Sequence, residues 1–413
     1  MPMARRRFLE LAGAALGATV LPLGGRSWAL AAEAPVTRRL VVVMLRGAVD
    51  GLNVVAPYGD PLYAPLRPNI GLAAPGSAEG LLDLDGHFGL HPALAAVMPL
   101  WQSRRLAFVH ACGSPDPSRS HFDAQDYMES ATPGVRTTAD GWMNRLVGVL
   151  PAPHAPTQAI SLGATRPRIL GGAQPTSNLS LGPNAGKPMP VDRPAVASAF
   201  AGLYGGSDAL SRAYQDGQMA RQELSADMQA EQAAADNGAV NAKGFPAIAA
   251  RLANLLSRDD HIQLAFADLG GWDTHVNQGA AKGQLAAHLQ PLGEGLAALA
   301  QGLGPQLDGT VVLVMSEFGR TARENGNKGT DHGHGNVMWV LGGQVAGGRI
   351  HGAWPGLAPD ALYQGRDLAV TTDFRRVIAA ALKHHLGLGD RQIATVLPPS
   401  PPFDGALPGL FLG

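Results

Sequence analysis

The hydrophobic pattern of the chain is a series of continuous apolar runs, each followed directly by a polar, glycine-containing turn. Short continuous apolar runs are typical of strands that are buried on both faces of a parallel sheet. Such runs occur at 40–45, 106–113, 264–271, 311–315 and 337–341. Segments with helical periodicity, including 91–103 and 283–303, lie between them. The pattern therefore predicts an α/β domain with a mostly parallel central sheet.

The middle of the chain carries a different pattern. Residues 133–192 are rich in glycine and proline, which predicts loops and short strands beside the main sheet. Residues 194–258 are strongly amphipathic, and we expect them to form a helical layer or cap. Because no linker or repeat interrupts the rest, we interpret 33–413 as one domain that contains this helical insertion.

The first 32 residues form a separate targeting segment in this interpretation. The sequence RRRFL at 5–9 precedes a weakly hydrophobic run, and ALA at 29–31 suits a cleavage site. Together they resemble a twin-arginine export signal over 1–32, with an ordinary secretory signal as the alternative. No later stretch reaches the ~18 uninterrupted apolar residues of a membrane span. The twin-arginine machinery is thus a predicted partner, and the periplasm or the cell exterior is the predicted location.

Charge and cysteine content narrow the possible functions. The net charge of −1 shows no basic bias, so nucleic acid is not a predicted partner. Cys112 is the single cysteine in the sequence, which excludes an intramolecular disulfide, thiolate zinc knuckles and CxxC redox chemistry. Its apolar context predicts a buried strand end and not a nucleophile. Any metal must therefore be held by oxygen and nitrogen ligands.

Acidic and histidine side chains follow the ends of several predicted strands, where the edge of a parallel sheet gathers functional groups. The candidate metal ligands are Asp50, Asp273, His275, Glu317, Asp331, His332 and His334. Carboxylates and imidazoles are suitable ligands for a catalytic divalent ion. Taken singly, Asp50 also suits a helix cap, Glu317 a pair with Arg320, and the sequence DHGHG a flexible loop.

Five motifs, RGAVDGLN, RSHFDAQDYME, GGWDTH, SEFGRT and DHGHG, resemble the bacterial domain of unknown function 1501 family, which is grouped with the alkaline phosphatase-like superfamily. The resemblance covers nearly all of the chain after the signal. It implies a three-layer α/β/α sandwich and a metal-dependent hydrolase. It also implies a nucleophile at a helix N-terminus, for which Ser120 is the candidate and Ser118 a weaker rival. A plain N-cap is the alternative role for Ser120.

The resemblance also places the ligands. Asp50 takes the position of a metal-binding aspartate, and Asp273 with His275 matches an Asp-x-x-x-His pair whose spacing here is shorter. Glu317 takes the place of an acid, but Phe318 stands where a second ligand is expected, so one or two ions are possible. His334 matches a late histidine ligand, with Asp331 and His332 close to it.

A histidine-rich ligand set of this kind favours Zn or Mn over Ca. The side chains predicted to bind the anionic group of a substrate are Arg46, Arg119, His121 and Arg320. For each arginine, pairing with a local acid is the alternative.

The function predicted from these features is hydrolysis of a phosphate or sulfate ester of a small molecule or glycan. Phosphate is favoured, because the SPDPSR sequence lacks the spacing of the signal that converts a serine to formylglycine. The competing hypothesis is a non-catalytic metal- or glycan-binding protein of the cell envelope. An exported redox protein is disfavoured, since a GxGxxG loop, a CxxC pair and a haem motif are all missing from the sequence.

Overall fold

The computed structural model describes residues 37–151, 154–179 and 236–412. The predicted signal at 1–32 lies outside these residues. So does most of the predicted helical insertion at 194–258, of which only the last part is described. Within the described part of the chain, no helix is long and apolar enough to span a membrane.

The strands form one large sheet and one small one. Their bounds, within the described ranges, are β1 (Arg39–Leu45), β2 (Val55–Ala56), β3 (Leu82–Asp83), β4 (Gly89–Leu90), β5 (Leu106–Gly113), β6 (Ala159–Leu162), β7 (Ser177–Leu179), β8 (Val240–Asn241), β9 (Leu264–Gly270), β10 (Thr310–Ser316), β11 (Asn336–Gly342), β12 (Ile350–His351) and β13 (Thr372–Asp373). The large sheet has the order β12-β5-β11-β10-β1-β9-β6-β7, with β13 beside β5 and β8 beside β9. The small sheet has the order β2-β4-β3.

Strand direction in the large sheet is parallel with one exception. The central strand β1 pairs in parallel with both β10 and β9. Strand β11 runs antiparallel to both of its neighbours, β10 and β5. The mostly parallel α/β sheet predicted from the apolar runs is therefore confirmed. The exception is the apolar segment 337–341, which lies in the antiparallel strand β11.

Helices cover both faces of the large sheet. Those described are α1 (Gly51–Val54), α2 (Tyr63–Leu66), α3 (Met98–Gln102), α4 (His121–Ser130), α5 (Trp142–Val149), α6 (Phe245–Arg258), α7 (Gln284–Leu303), α8 (Phe374–Ala380) and α9 (Asp390–Val396). Alternate residues of β1 point to opposite faces: Val41, Val43 and Leu45 pack with α6 and α7. On the other face, Leu40, Val42 and Met44 pack with α5, α8 and α9. The result is the predicted α/β/α sandwich.

Helix α7 shows how the sequence forms one of these layers. Its buried leucines recur at helical spacing, from Leu285 through Leu289 and Leu292 to Leu296 and Leu299. Burying a leucine side chain stabilises the fold by about 1.5–3 kcal/mol. Truncating Leu292, which is fully buried, to alanine should cost about 2–5 kcal/mol.

The helix predicted at 91–103 is divided in the structure. A 3₁₀ helix, Pro92–Val97, precedes α3, and Pro99 stands in the first turn of α3. Proline donates no backbone hydrogen bond, so it suits the first turn of a helix and not its interior. The two prolines therefore mark two helix starts where the periodicity predicted one.

Candidate metal centre

The site lies at one edge of the large sheet, where the parallel strands end and β11 begins. Asp273 and His275 follow β9, Glu317 follows β10, and His332 precedes β11. His121 is the first residue of α4, which follows β5. Because β11 runs opposite to its neighbours, its first residue lies at the same edge as their last residues.

Three histidine rings and one carboxylate converge at this edge. The Nε2 atom of His332 lies 3.0 Å from Nε2 of His121 and 3.0 Å from Nε2 of His275. The Asp273 carboxylate lies 3.0 Å from Nε2 of His275, 3.5 Å from Nε2 of His332 and 3.7 Å from Nε2 of His121. His121, Asp273 and His332 present ligand atoms that all lie within 4.8 Å of one another, and His275 adjoins them. We call these four residues the metal centre.

Each ring of the metal centre has a partner on its Nδ1 side. The Nδ1 of His121 lies 2.8 Å from the Glu317 carboxylate. The Nδ1 of His332 donates to the backbone carbonyl of Arg119 at 2.9 Å. The Nδ1 of His275 faces the Asp331 carboxylate at 3.5 Å. A carboxylate or carbonyl on one ring nitrogen fixes the tautomer, so the proton of a neutral ring sits on Nδ1 and the lone pair on Nε2.

These residues fit a divalent metal ion. Two neutral rings protonated on Nδ1 would point lone pairs at each other across the 3.0 Å between His121 and His332, so the contact needs either a proton on one Nε2 or a metal ion between the rings. Nitrogen and oxygen ligands bound to zinc at about 2.0–2.1 Å stand roughly 3 Å apart, as the atoms here do. The pattern of metal-facing Nε2 and carboxylate-facing Nδ1 is the usual one for ligating histidines.

The charges of the site are strongly coupled. Burial opposes the ionised form of each group, but hydrogen bonds outweigh it for His121, whose pKa Asp273 and Glu317 raise to about 9. Contacts with His121 likewise lower the pKa of Glu317 to about 2, against the effect of its burial. Burial lowers the pKa of His332. The pKa of Asp273 is lowered, since the three imidazoles and Arg320 outweigh its desolvation.

Glu317 lies behind His121 and holds it in position. Its Oε1 accepts hydrogen bonds from the Gly47 backbone at 2.8 Å and from the Gln125 side chain at 3.0 Å. The carboxylate is fully buried. Gln125 was not among the predicted site residues, although its place four residues after His121 on α4 puts both on one helix face.

Two of the arginines predicted to bind substrate are fully engaged by the protein. Arg320 donates to Asp273 at 2.5 Å and also to backbone carbonyls, among them that of Ala48. Arg46 pairs with Glu129 at 2.9 Å and with Asp268 at 2.7 Å. Both side chains are buried. These contacts fix the loops that carry the ligands.

Arg119 is the more accessible of the predicted arginines. Its side chain is 31% exposed and pairs with Asp367 at 2.6 Å. It also donates to Gln364 at 2.8 Å. It precedes Ser120 and His121 directly in the chain, so it lies beside the start of α4.

Asp50 lies in a different environment from Asp273. Its carboxylate pairs with Arg67 at 2.5 Å and accepts a hydrogen bond from Gln278 at 2.7 Å. The side chains of Asp50 and Arg67 are both completely buried. Both of these bonds go to its Oδ2, and among the described residues its Oδ1 has no hydrogen-bond partner. The structure thus brings Asp273, His275 and His332 together and leaves Asp50 apart.

The remaining predicted residues lie around the centre. Ser120 is exposed, and its hydroxyl accepts from the Asp123 backbone as the N-cap of α4. His334 is buried with its ring 4.6 Å from that of Tyr363. Phe318, which stands where a ligand was expected, packs its ring 4.9 Å from that of His121 and 5.1 Å from that of His332. It forms an apolar wall of the centre.

The glycines of the SEFGRT and DHGHG motifs permit a close backbone approach. Gly319 donates to the His334 carbonyl at 2.9 Å, and Gly333 donates to the Gly319 carbonyl at 2.8 Å. A Cβ at Gly319 would overlap the carbonyl oxygen of Gly335. The motif glycines therefore hold the loop after β10 against the segment before β11, which carries His332 into the site.

A family model described as "Protein of unknown function (DUF1501)" matches residues 37–397. The chain belongs to this family. The match covers every strand of the described sheets, and it confirms the resemblance inferred from the five motifs. No curated protein gives a significant match to this DUF1501 chain.

Several solved structures are similar to this DUF1501 chain over most of its length. The lipoteichoic acid synthase LtaP from Listeria monocytogenes shares 9% identity, with 92% of this chain and 78% of that chain covered and a TM-score of 0.38. A protein in the alkaline phosphatase superfamily from Vibrio parahaemolyticus shares 10% identity, with 85% and 72% covered and a TM-score of 0.38. The zinc complex of the C-terminal periplasmic domain of EcEptC from Escherichia coli shares 10% identity, with 75% and 73% covered and a TM-score of 0.35. Likeness of this extent carries no argument about activity.

Proposed function

We propose that this chain is an exported, metal-dependent hydrolase of phosphate or sulfate esters. The observation that carries the proposal is the convergence of the His121, His275 and His332 Nε2 atoms with the Asp273 carboxylate at the sheet edge. A cluster of coupled titratable groups at this position of an α/β sheet is typical of a functional site.

The ion would be held by His121, Asp273 and His332, with His275 beside them. Their chemistry suits Zn or Mn better than Ca, because imidazole is a poor ligand for hard cations. Such an ion supplies Lewis-acid stabilisation of the negative charge that develops on the ester oxygens. Phe318 and the buried Glu317 keep the ligand rings oriented and shield one side of the site from water.

Ser120 is the proposed nucleophile, because it stands at the N-terminus of α4 next to the ligand His121. Its oxygen forms a bond to phosphorus or sulfur while the bond from that atom to the ester's alcohol oxygen breaks, and the proton of the Ser120 hydroxyl passes to the departing alcohol. Water then cleaves the serine ester, which releases phosphate or sulfate and restores the hydroxyl. Arg119, partly exposed and adjacent in the chain, is the proposed contact for the anionic oxygens of a small-molecule or glycan ester.

Export is proposed from the twin-arginine pattern at 1–32. The test is the N-terminus of the mature protein recovered from the periplasm or the culture medium. Replacing both Arg5 and Arg6 with lysine should retain the full-length precursor inside the cell. Recovery of the mature protein at the normal level from that variant would rule out the twin-arginine route.

The activity is tested by metal analysis and by hydrolysis of model phosphate and sulfate esters. His332→Ala should lose the bound ion and all turnover, and Ser120→Ala should keep the ion but lower kcat at least about 100-fold. His261→Ala is the matched control, because that side chain is 84% exposed beside Asp259. An equal kcat for Ser120→Ala and the wild type would remove Ser120 from the reaction, and Ser118→Ala would then be measured.

A second candidate function is supported by the state of Ser120. Its exposed hydroxyl already serves as a helix cap, since it accepts a hydrogen bond from the backbone of Asp123. This arrangement favours a non-catalytic metal- or glycan-binding protein of the cell envelope. A stoichiometric metal ion without turnover on a broad ester panel would support that function over hydrolysis.

A further inference from the structure

A small polar cavity of about 100 Å³ opens beside the loop that follows β6. No residue of the metal centre lines it. The polar side chains that line it are Arg46, Thr165, Arg166, Arg168, Asn237 and Asp268. Three of these six are arginines and one is an acid, so the lining is predominantly basic.

The arginines differ in how their charge is compensated. Arg46 pairs with Asp268 at 2.7 Å and with Glu129, and Arg168 pairs with Asp126. Arg166 has no carboxylate partner among the residues that the structure describes. The acid in the lining, Asp268, is already engaged by Arg46. Within the described ranges 37–151, 154–179 and 236–412, the cavity therefore presents one positive charge without a paired carboxylate.

A chain of hydrogen bonds connects the cavity wall with the metal centre. Arg46 donates to the Gln125 Oε1 at 2.7 Å, and Gln125 donates to Glu317 at 3.0 Å. Glu317 in turn lies 2.8 Å from the ring of His121. On the other side, Asp236 precedes the lining residue Asn237 and accepts from the backbone of Gly271 at 2.7 Å, two residues before Asp273. The cavity and the metal centre thus share their supporting residues.

We propose that this cavity binds a tetrahedral oxyanion of the phosphate or sulfate class, with Arg166 as its principal ligand. A guanidinium group donates two parallel hydrogen bonds to such an anion, and Thr165 and Asn237 add polar contacts at the same wall. The anion is either a free inorganic ion or a second anionic group on the ester substrate. Binding at this cavity does not depend on hydrolysis at the metal centre, since the two have no ligand in common.

The test is calorimetric titration of inorganic sulfate and phosphate into the full chain in an Asp273→Asn background, which removes the metal centre. Arg166→Gln should weaken binding about tenfold or more, because the charge-assisted bonds are lost. Arg251→Gln, an exposed arginine on α6, is the matched control and should bind as the parent does. Equal affinities for Arg166→Gln and Arg251→Gln would overturn the proposal. So would the absence of anion binding once Asp273 is replaced.

A second measurement distinguishes the source of the anion. The KM of glucose 1,6-bisphosphate is compared with that of glucose 1-phosphate in the parent and in Arg166→Gln. If the substrate supplies the anion, the variant raises the ratio of the two KM values about tenfold; if a free ion is bound, the ratio is unchanged and the calorimetric loss remains. If the chain has no hydrolytic activity, no KM can be measured, but the calorimetric titration still decides whether the cavity binds the anion. The proposed function and the oxyanion site are therefore tested separately.

Discussion

Asp273 and Asp50 follow neighbouring strands at the same edge of the sheet, yet their surroundings differ completely. Asp273 is surrounded by three imidazoles in addition to Arg320. Asp50 is paired with the permanent charge of Arg67 and with the amide of Gln278. An imidazole can lose its proton near neutral pH and bind a metal ion in its place. A guanidinium group keeps its proton and does not bind metal ions. The comparison shows that two aspartates at the same sheet edge can have opposite surroundings: one meets imidazoles that suit a metal ion, and the other meets a permanently charged guanidinium group.

The largest expected effect is on the stability of the fold, when the partner of Asp50 is replaced. Arg67→Met leaves the Asp50 carboxylate buried without a counter-charge, which should lower the free energy of unfolding by about 3–5 kcal/mol. Adding Asp50→Asn should recover part of that loss, because the uncompensated charge is removed. Denaturant unfolding of the two single variants and the double variant measures the coupling. Additive losses would mean that the two side chains do not stabilise each other.

The next effect separates the two aspartates directly. Asp273→Asn should weaken Zn or Mn binding more than about 100-fold, since a charged ligand is lost. Asp50→Asn should leave the metal affinity near that of the parent, provided that circular dichroism shows a folded chain. If Asp50 is a ligand, as the superfamily resemblance implies, both variants will lose the ion, and Asp50 then acts in the same centre as Asp273.

A smaller effect on metal affinity is expected when Glu317, which faces Nδ1 of His121, is replaced. Glu317→Gln keeps the shape of the side chain but removes the charge that faces Nδ1 of His121, so metal affinity should fall about 10- to 100-fold. Glu294→Gln, on the exposed face of α7, is the control. Competition with a chelator gives both affinities. An unchanged affinity would show that the orientation of His121 is set by packing against Phe318 alone.

The smallest effect concerns the helix that carries His121. Ser120→Ala removes the N-cap of α4 and should reduce the free energy of unfolding by about 1 kcal/mol. Ser77→Ala serves as the control, since that serine is exposed in a loop outside the helix. Thermal unfolding followed by circular dichroism measures both. A metal affinity that falls together with stability in Ser120→Ala would show that the cap also positions His121.

Much of the fold was predictable because buried parallel strands have a distinctive apolar pattern, as at 40–45 and 311–315. The direction of β11 was not, because an apolar run has the same composition in either orientation. At the site, Asp273, His275 and His332 were predicted as ligands. The pairing of Asp50 with Arg67 was not, because Arg67 lies in a loop without a pattern that indicates a partner 17 positions away.

His121 illustrates a different limit of sequence interpretation. It was predicted to bind the anionic group of a substrate together with Arg46, Arg119 and Arg320. In the structure Glu317 accepts from one side of the ring, and the other side faces His332 and Asp273. The neighbours of each ring nitrogen come from strands that are far apart in the chain. The sequence alone therefore does not predict which neighbour each nitrogen faces.

The hairpin between β10 and β11 leaves the sheet and returns to an adjacent strand, with backbone bonds joining its two arms from Gly319 to Thr321 and from Asp331 to His334. Its tip, 326–328, is exposed. The tip is not free, however, because the carbonyls of Asn327 and Lys328 accept hydrogen bonds at 2.9 Å from the backbone of Asn277 and Gln278. The segment that carries His275 is therefore tied to the same hairpin that carries His332, so lengthening the tip by inserted residues would disturb the two histidines together.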